Sequence, residues 1–283
     1  MSSRLAYKSF EAQEAVVAEC HRRLAAWRVP HELRLVQTGL GPTTVLVAGG
    51  PTGVNGRSRP VLVLPGANLT AASSLPLAAA IARRRQVLVV DPPGQAGLSY
   101  PKRPPFFGAY GVWLDEVLTT LDRRPTVVGH ALGAALALLA TPDHVADLVL
   151  VNPAGLAKPV RNPALAAAEL QWRLRPAAHT ARNLLQLLAD PFATVRDESV
   201  RWLELVATHA RPTRLPAPVG DDVLARWGHR AGDVRLLAGV NDPRFPPDRL
   251  LSVASQHGLA VTVVQGAGHL IPDERPEAVA AVI

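Results

Sequence analysis

Six short apolar runs recur along the chain, nearly all closed by glycine or proline. They are RPVLVLPG (59–66), RQVLVVDPPG (85–94), PTVVGH (125–130), ADLVLVNPAG (146–155), GDVRLLAG (232–239) and LAVTVVQGAG (259–268). Continuous Val/Leu runs of this length suit strands buried on both faces, as in a parallel sheet covered by helices. Helical patterns lie between them, at about 73–84, 107–122, 131–140, 246–256 and 275–283. This alternation predicts an α/β fold with a mostly parallel, doubly wound sheet, in which ligands bind beyond the carboxyl ends of the strands. Upstream, a helix is expected over 10–27, followed by a strand pair, HELRLVQ and TTVLVAG, around the turn residues Gly39, Gly41 and Pro42.

One interval breaks the alternation. Residues 156–228 contain apolar helical runs, among them NPALAAAELQWRLRP and SVRWLELVATHA, and no convincing strand. The expected division is therefore an N-terminal helical extension (1–32), an α/β core (33–155 and 229–283) and a helical cap (156–228). Three of the five tryptophans, Trp172, Trp202 and Trp227, fall in the cap. They either pack the insertion or face an apolar substrate pocket. The 283 residues accommodate one large α/β domain with such an insertion.

Composition removes several function classes. The net charge of +7 comes with arginines spread along the chain, without a block of five or six basic residues, so nucleic acid is not an expected partner. The densest cluster, ARRR at 82–85, sits where a helix C-terminus would be complemented by cations. Cys20 is the sole cysteine, which excludes an intramolecular disulfide framework and a multi-thiolate metal site, and no other metal-ligand spacing is visible. No apolar run approaches the ~20 residues of a membrane span. The N-terminus lacks a basic segment followed by an unbroken apolar one, so a cytoplasmic location is expected. Three lysines against 27 arginines suggest a GC-rich bacterial genome.

The chemistry concentrates around residues 125–141, PTVVGHALGAALALLAT. A strand, then Gly-x-x-x-Gly, then a helix puts its middle residue on a strained turn above the sheet. Here the frame is Gly129, His130, Ala131, Leu132, Gly133. The N–H of Leu132, at the helix N-terminus, would meet negative charge developing on a substrate oxygen. A second donor is expected from the loop VLPGANLT, where Ala67 is the candidate and Asn68 its neighbour. His269 follows the last apolar strand and is the candidate general base. Asp242, three residues after Gly239, is the candidate acid that orients it; Asp248 is a weaker alternative, and Asn152 cannot serve as a charge.

These residues carry a resemblance to the α/β-hydrolase fold from about residue 33 to the end. GHALGAALAL resembles that superfamily's Gly-His-Ser-x-Gly-Gly elbow, and GAGHLIPDERPEAV its catalytic-histidine loop. DPPGQAGLS resembles, with one extra residue between the glycines, its Asp-x-x-Gly-x-Gly-x-Ser loop, whose matching residues here, Asp91 and Ser99, are structural. The resemblance implies the order nucleophile, acid, histidine, an oxyanion hole at Ala67 and Leu132, and no required metal or organic cofactor. His130, Asn68 and the three cap tryptophans are the expected substrate-binding side chains. The substrate expected of a Leu- and Trp-rich cap is a small apolar ester, thioester or lactone.

Ala131 is the departure. A methyl group has no lone pair and cannot form an acyl-enzyme, and loss of the serine in a serine protease costs on the order of 10^6 in kcat. Three readings follow. In the first, alanine has been engineered into a Ser-His-Asp hydrolase. In the second, the alanine is natural and His269 with Asp242 runs non-hydrolytic chemistry such as cyclisation, elimination or cofactor-free oxygenation. In the third, the pocket is a receptor. The first is preferred, because everything that serves the missing hydroxyl is present.

Overall fold

The computed structural model describes residues 5–50, 58–213, 215–228, 230 and 233–283. The boundary expected at 229 and the first residue of the 232–239 run fall outside these. Eight strands form one sheet: β1 (His31–Val36), β2 (Thr43–Ala48), β3 (Val61–Leu64), β4 (Val87–Val90), β5 (Thr126–His130), β6 (Asp147–Val151), β7 (Val234–Gly239) and β8 (Ala260–Val264). Their order is β1-β2-β4-β3-β5-β6-β7-β8. β2 pairs antiparallel with both β1 and β4, and every pairing from β4 onward is parallel. The chain is thus α/β, with the parallel sheet its apolar runs predict.

The runs become central strands because both faces are covered. Val61 and Val63 of β3 join one core cluster and Leu62 and Leu64 the other, and β4 and β6 divide in the same alternating way. The edges differ: β1 is largely exposed and β8 alternates, as an edge strand must.

Helices α1 (Phe10–Ala26), α2 (Leu75–Ala82), α3 (Ala109–Thr119) and α4 (Leu132–Ala137) precede β6. Between β6 and β7 lie α5 (Pro163–Leu174), α6 (Ala178–Leu188), α7 (Asp197–His209) and α8 (Asp221–Gly228). After β7 come α9 (Pro247–Gln256), α10 (Ile271–Glu274) and α11 (Pro276–Ala281). The start of α1 is set by Ser9, whose hydroxyl accepts from the Ala12 N–H (3.1 Å). Asn162 caps α5 in the same way, with Pro163 preset for the first helical position.

Core residues of α1, α2, α5, α6, α7 and α11 share one cluster and those of α3, with most of α4 and Ala254 of α9, the other, while Ala135 of α4 and Leu250 of α9 join a small third cluster. The four helices between β6 and β7 therefore do not act as one body. α5–α7 pack with α1 on the first side, while Leu224 and Trp227 of α8 belong to the second.

Candidate active site

The turn from β5 into α4 holds Ala131 at φ 46, ψ −107, a sparsely populated region for a residue with a β-carbon. The two flanking glycines make the turn possible. A β-carbon on Gly133 would overlap the Leu64 carbonyl, and one on Gly129 would overlap the backbone at Ala134. Both neighbours are main chain and cannot yield. The N–H groups of Ala67 and Leu132 have no hydrogen-bond partner among the described residues.

His269 and Asp242, 27 residues apart, meet at the sheet's end. The Nδ1 of His269 lies 2.9 Å from Asp242 Oδ2, and both side chains are buried. The other carboxylate oxygen accepts the N–H groups of Arg244 (2.7 Å) and Phe245 (3.1 Å). Burial works to raise the Asp242 pKa, but the imidazole's charge and hydrogen bond, with the two N–H groups, outweigh it and hold the carboxylate below its ordinary range. An ionised carboxylate only accepts, so the imidazole places its proton on Nδ1 and leaves Nε2 as the basic nitrogen. Asp248 lies in the first turn of α9 and makes no such contact.

The loop bearing His269 is fixed on every side. The His269 N–H donates to the Leu188 carbonyl of α6 (2.7 Å). The His269 carbonyl can only accept, so the 2.8 Å contact from His130 places that ring's proton on Nε2. Burial, with the neighbouring His269, pulls the His130 pKa down to about 4, so this second histidine stays neutral. One carboxylate, Glu274, receives the N–H groups of Gly268 (3.0 Å), Leu270 (3.1 Å) and Asp190 (2.6 Å). Asn152, at φ 43 and fully buried, donates to the Gly268 carbonyl (2.9 Å) and accepts from the Gly239 N–H (2.8 Å). Its amide, donor and acceptor in one group, ties the strand preceding Asp242 to the loop of His269. Glu274 is invisible to motif reasoning; its only signal is an acid five residues after the histidine, directly behind a second acid, Asp273.

A cavity of about 430 Å³ opens on Ala131 and His269, lined also by Gly66, Ala67, Asn68 and His130. Across it, α5, α6 and α7 contribute Trp172, Leu184, Leu185, Leu188 and Leu203. Trp172 is thus on the cavity wall, its indole N–H held by the Leu203 carbonyl (2.9 Å). The other two tryptophans expected there are not. Trp202 donates to the Asn68 carbonyl (2.7 Å), helping to hold Asn68 at φ 64, and its ring lies under the Arg23 guanidinium. Trp227 is buried on the opposite face of the sheet with its N–H on the Leu138 carbonyl (3.0 Å). Helical periodicity reveals that such a residue is inward, not which side of the sheet its helix will cover.

Asp91 and Ser99 stand away from this cavity as loop pins. Asp91 accepts the N–H groups of Ala71 (2.6 Å) and Leu98 (2.9 Å), and Ser99 donates to the Asp91 carbonyl (2.6 Å). Among the described residues there is no group of three His, Cys, Asp or Glu side chains placed to hold a metal, and no helix long and apolar enough to cross a membrane.

Comparison with known proteins places the fold. Residues 61–282 match the model of the alpha/beta hydrolase family. Similar solved structures include naproxen esterase (carboxylesterase NP) from Bacillus subtilis, at TM-score 0.79 and 19% identity over 97% of this chain and 98% of that one. Carboxylesterase CesB from the same organism matches at TM-score 0.76 and 20% identity, over 96% of each chain. The 2-hydroxy-6-oxo-6-phenylhexa-2,4-dienoate hydrolase of Rhodococcus sp. strain RHA1 matches at 0.68 and 21%, over 90% of this chain and 97% of that one. At these identities the likeness is one of fold. No curated protein sequence matches. With an elbow between β5 and α4, a His–Asp pair beyond β7 and β8, and a family model spanning 61–282, the chain belongs to the alpha/beta hydrolase family.

Proposed function

We propose that this protein is the alanine form of a Ser-His-Asp hydrolase acting on apolar organic esters, thioesters or lactones, with Ala131 engineered in place of the nucleophile. The observation that carries the reading is the His269–Asp242 pair, held at 2.9 Å by a loop fixed on both sides, facing a cavity that also exposes Ala131. In the serine form, Nε2 of His269 takes the hydroxyl proton as Oγ attacks the substrate carbonyl. It then delivers that proton to the departing alcohol or thiol, and water repeats the sequence on the acyl-enzyme. The N–H groups of Ala67 and Leu132 receive the oxyanion. α5–α7 serve as the cap, and their leucines with Trp172 favour apolar acyl groups. Esterase and hydrolase relatives of the same fold support this reaction class.

The experiment is Ala131→Ser assayed on p-nitrophenyl butyrate and a matching thioester beside the alanine form. A rise of at least about a thousandfold in kcat/KM is expected, since the nucleophile carries most of the catalysis. One observation favours a second reading. The dyad is complete without a serine, so His269 can act as a general base on a bound substrate or water. Activity in the alanine form that is lost in His269→Ala would select that reading, and ligand binding without turnover in any form would select a receptor.

A further inference from the structure

The wall of the main cavity is largely apolar, with one cluster of charge. Glu169 and Arg173, one turn apart on α5, and Arg244, from the loop after β7, bring three charged side chains to it. Arg244 donates to Glu169, with these side chains only 16% and 26% exposed. Arg173 is exposed at the cavity and has no ion-pair or hydrogen-bond partner among the described residues. Two guanidinium groups and one carboxylate therefore line the cavity, leaving an uncompensated positive charge on the wall. An ion pair drawn out of water beside leucines is costly. α5 does not need it for docking, since Leu165, Ala168 and Trp172 already sit in the core.

We propose that Arg173 and Arg244 form a carboxylate-binding subsite. On the hydrolase reading above, the substrate class is then an apolar ester, thioester or lactone that carries one free carboxylate besides the bond to be broken. Guanidinium groups bind carboxylates through paired N–H donors and do not lose their proton. A ligand carboxylate here completes the charge set of two cations and two anions. Leucines line the rest of the cavity, where the apolar part of such a substrate would lie. The same cavity exposes Ala67 and Ala131, so an acid held at α5 presents the rest of its length to the elbow. Arg244 also donates its own N–H to Asp242, which ties the subsite to the dyad through two residues of chain.

The test is calorimetric binding of 4-phenylbutanoate and its uncharged amide to the protein as it stands. The acid is expected to bind at least about tenfold more tightly than the amide. In Arg173→Gln, which removes the uncompensated charge, the acid-to-amide ratio falls to within about twofold of unity, and in the double variant Glu169→Gln/Arg244→Gln, which leaves no lone buried charge, it falls by at least about threefold as one guanidinium donor is lost. Equal affinities, no binding of either compound, or a ratio that survives both variants overturns the subsite. The Ala131→Ser form separates this from the hydrolase reading. Turnover of p-nitrophenyl butyrate with no lower KM for mono-p-nitrophenyl glutarate overturns the subsite and keeps the hydrolase. Acid-selective binding with neither ester turned over keeps the subsite and overturns the hydrolase.

Discussion

Replacing Ala131 by glycine should stabilise the protein, although the same change one turn along should not. Ala131 is 2% exposed and sits at φ 46, ψ −107. A non-glycine residue in so sparse a region stores about 1–3 kcal/mol. Removing its methyl group forfeits about 0.8 kcal/mol of burial, and the freer unfolded chain of glycine costs about 0.4–1 kcal/mol. The mid-range sum is a gain of roughly 0.5 kcal/mol. Ala135, fully buried inside α4, has no strain to release. There glycine loses about 1 kcal/mol of helix propensity and the same burial, roughly 2 kcal/mol in all. Urea unfolding of the two variants beside the parent reads the difference, about 2.5 kcal/mol, as a shift in midpoint at constant slope. An Ala131→Gly protein that loses as much as Ala135→Gly would refute the strain at the elbow.

Gly133→Ala should cost about 3 kcal/mol or more, or abolish soluble folded protein, because its methyl meets the Leu64 carbonyl; urea unfolding or soluble yield reads this. Asn152→Asp replaces the donor facing the Gly268 carbonyl with an acceptor and should cost about 1–3 kcal/mol in the same assay. His130 and Asp91 should oppose each other in pH dependence. Burial, with the nearby His269, lowers the His130 pKa to about 4, so the unfolded chain takes that proton first and stability falls by about 3 kcal/mol as pH drops from 6.5 to 4. Burial raises the Asp91 pKa to about 6, so the folded chain takes that proton first and stability rises by about 3 kcal/mol as pH drops from 6 to 3.8. Urea unfolding of Asp91→Asn across this window should show stability falling toward acid more steeply than in the parent, and His130→Gln the reverse slope; parallel profiles in all three proteins would contradict the assignment.

The central sheet was readable because a strand covered on both faces leaves a continuous apolar run, and Gly or Pro marks where it stops. The ends of those runs are also where ligands bind in such sheets, so His269, Asp242 and Ala131 could be singled out from the sequence as candidates. Edges were harder to read: α4 ends at Ala137, three residues short of the apolar pattern, as Leu139 and Ala140 turn to i−3 hydrogen bonds. The supports of the site were hidden for a different reason. Glu274 and Asn152 act by hydrogen bonds to main chain that returns from elsewhere in the fold, and main chain has no sequence signature. The helical run 156–228 looked like one cap, yet Trp227 packs behind the sheet. Which face a helix covers depends on how its connecting loops run, as for Arg244, whose place on the cavity wall follows from the loop beyond Asp242.

The account rests on position 131 lacking only an oxygen. The most direct measurement is intact-mass spectrometry of the Ala131→Ser protein after exposure to a fluorophosphonate. One phosphonyl group per chain is expected on the introduced serine, with none on the parent, and labelling should slow by at least about a hundredfold when His269→Ala is added. A serine form that remains unlabelled while folded would contradict the claim that this elbow and dyad are built around a nucleophile.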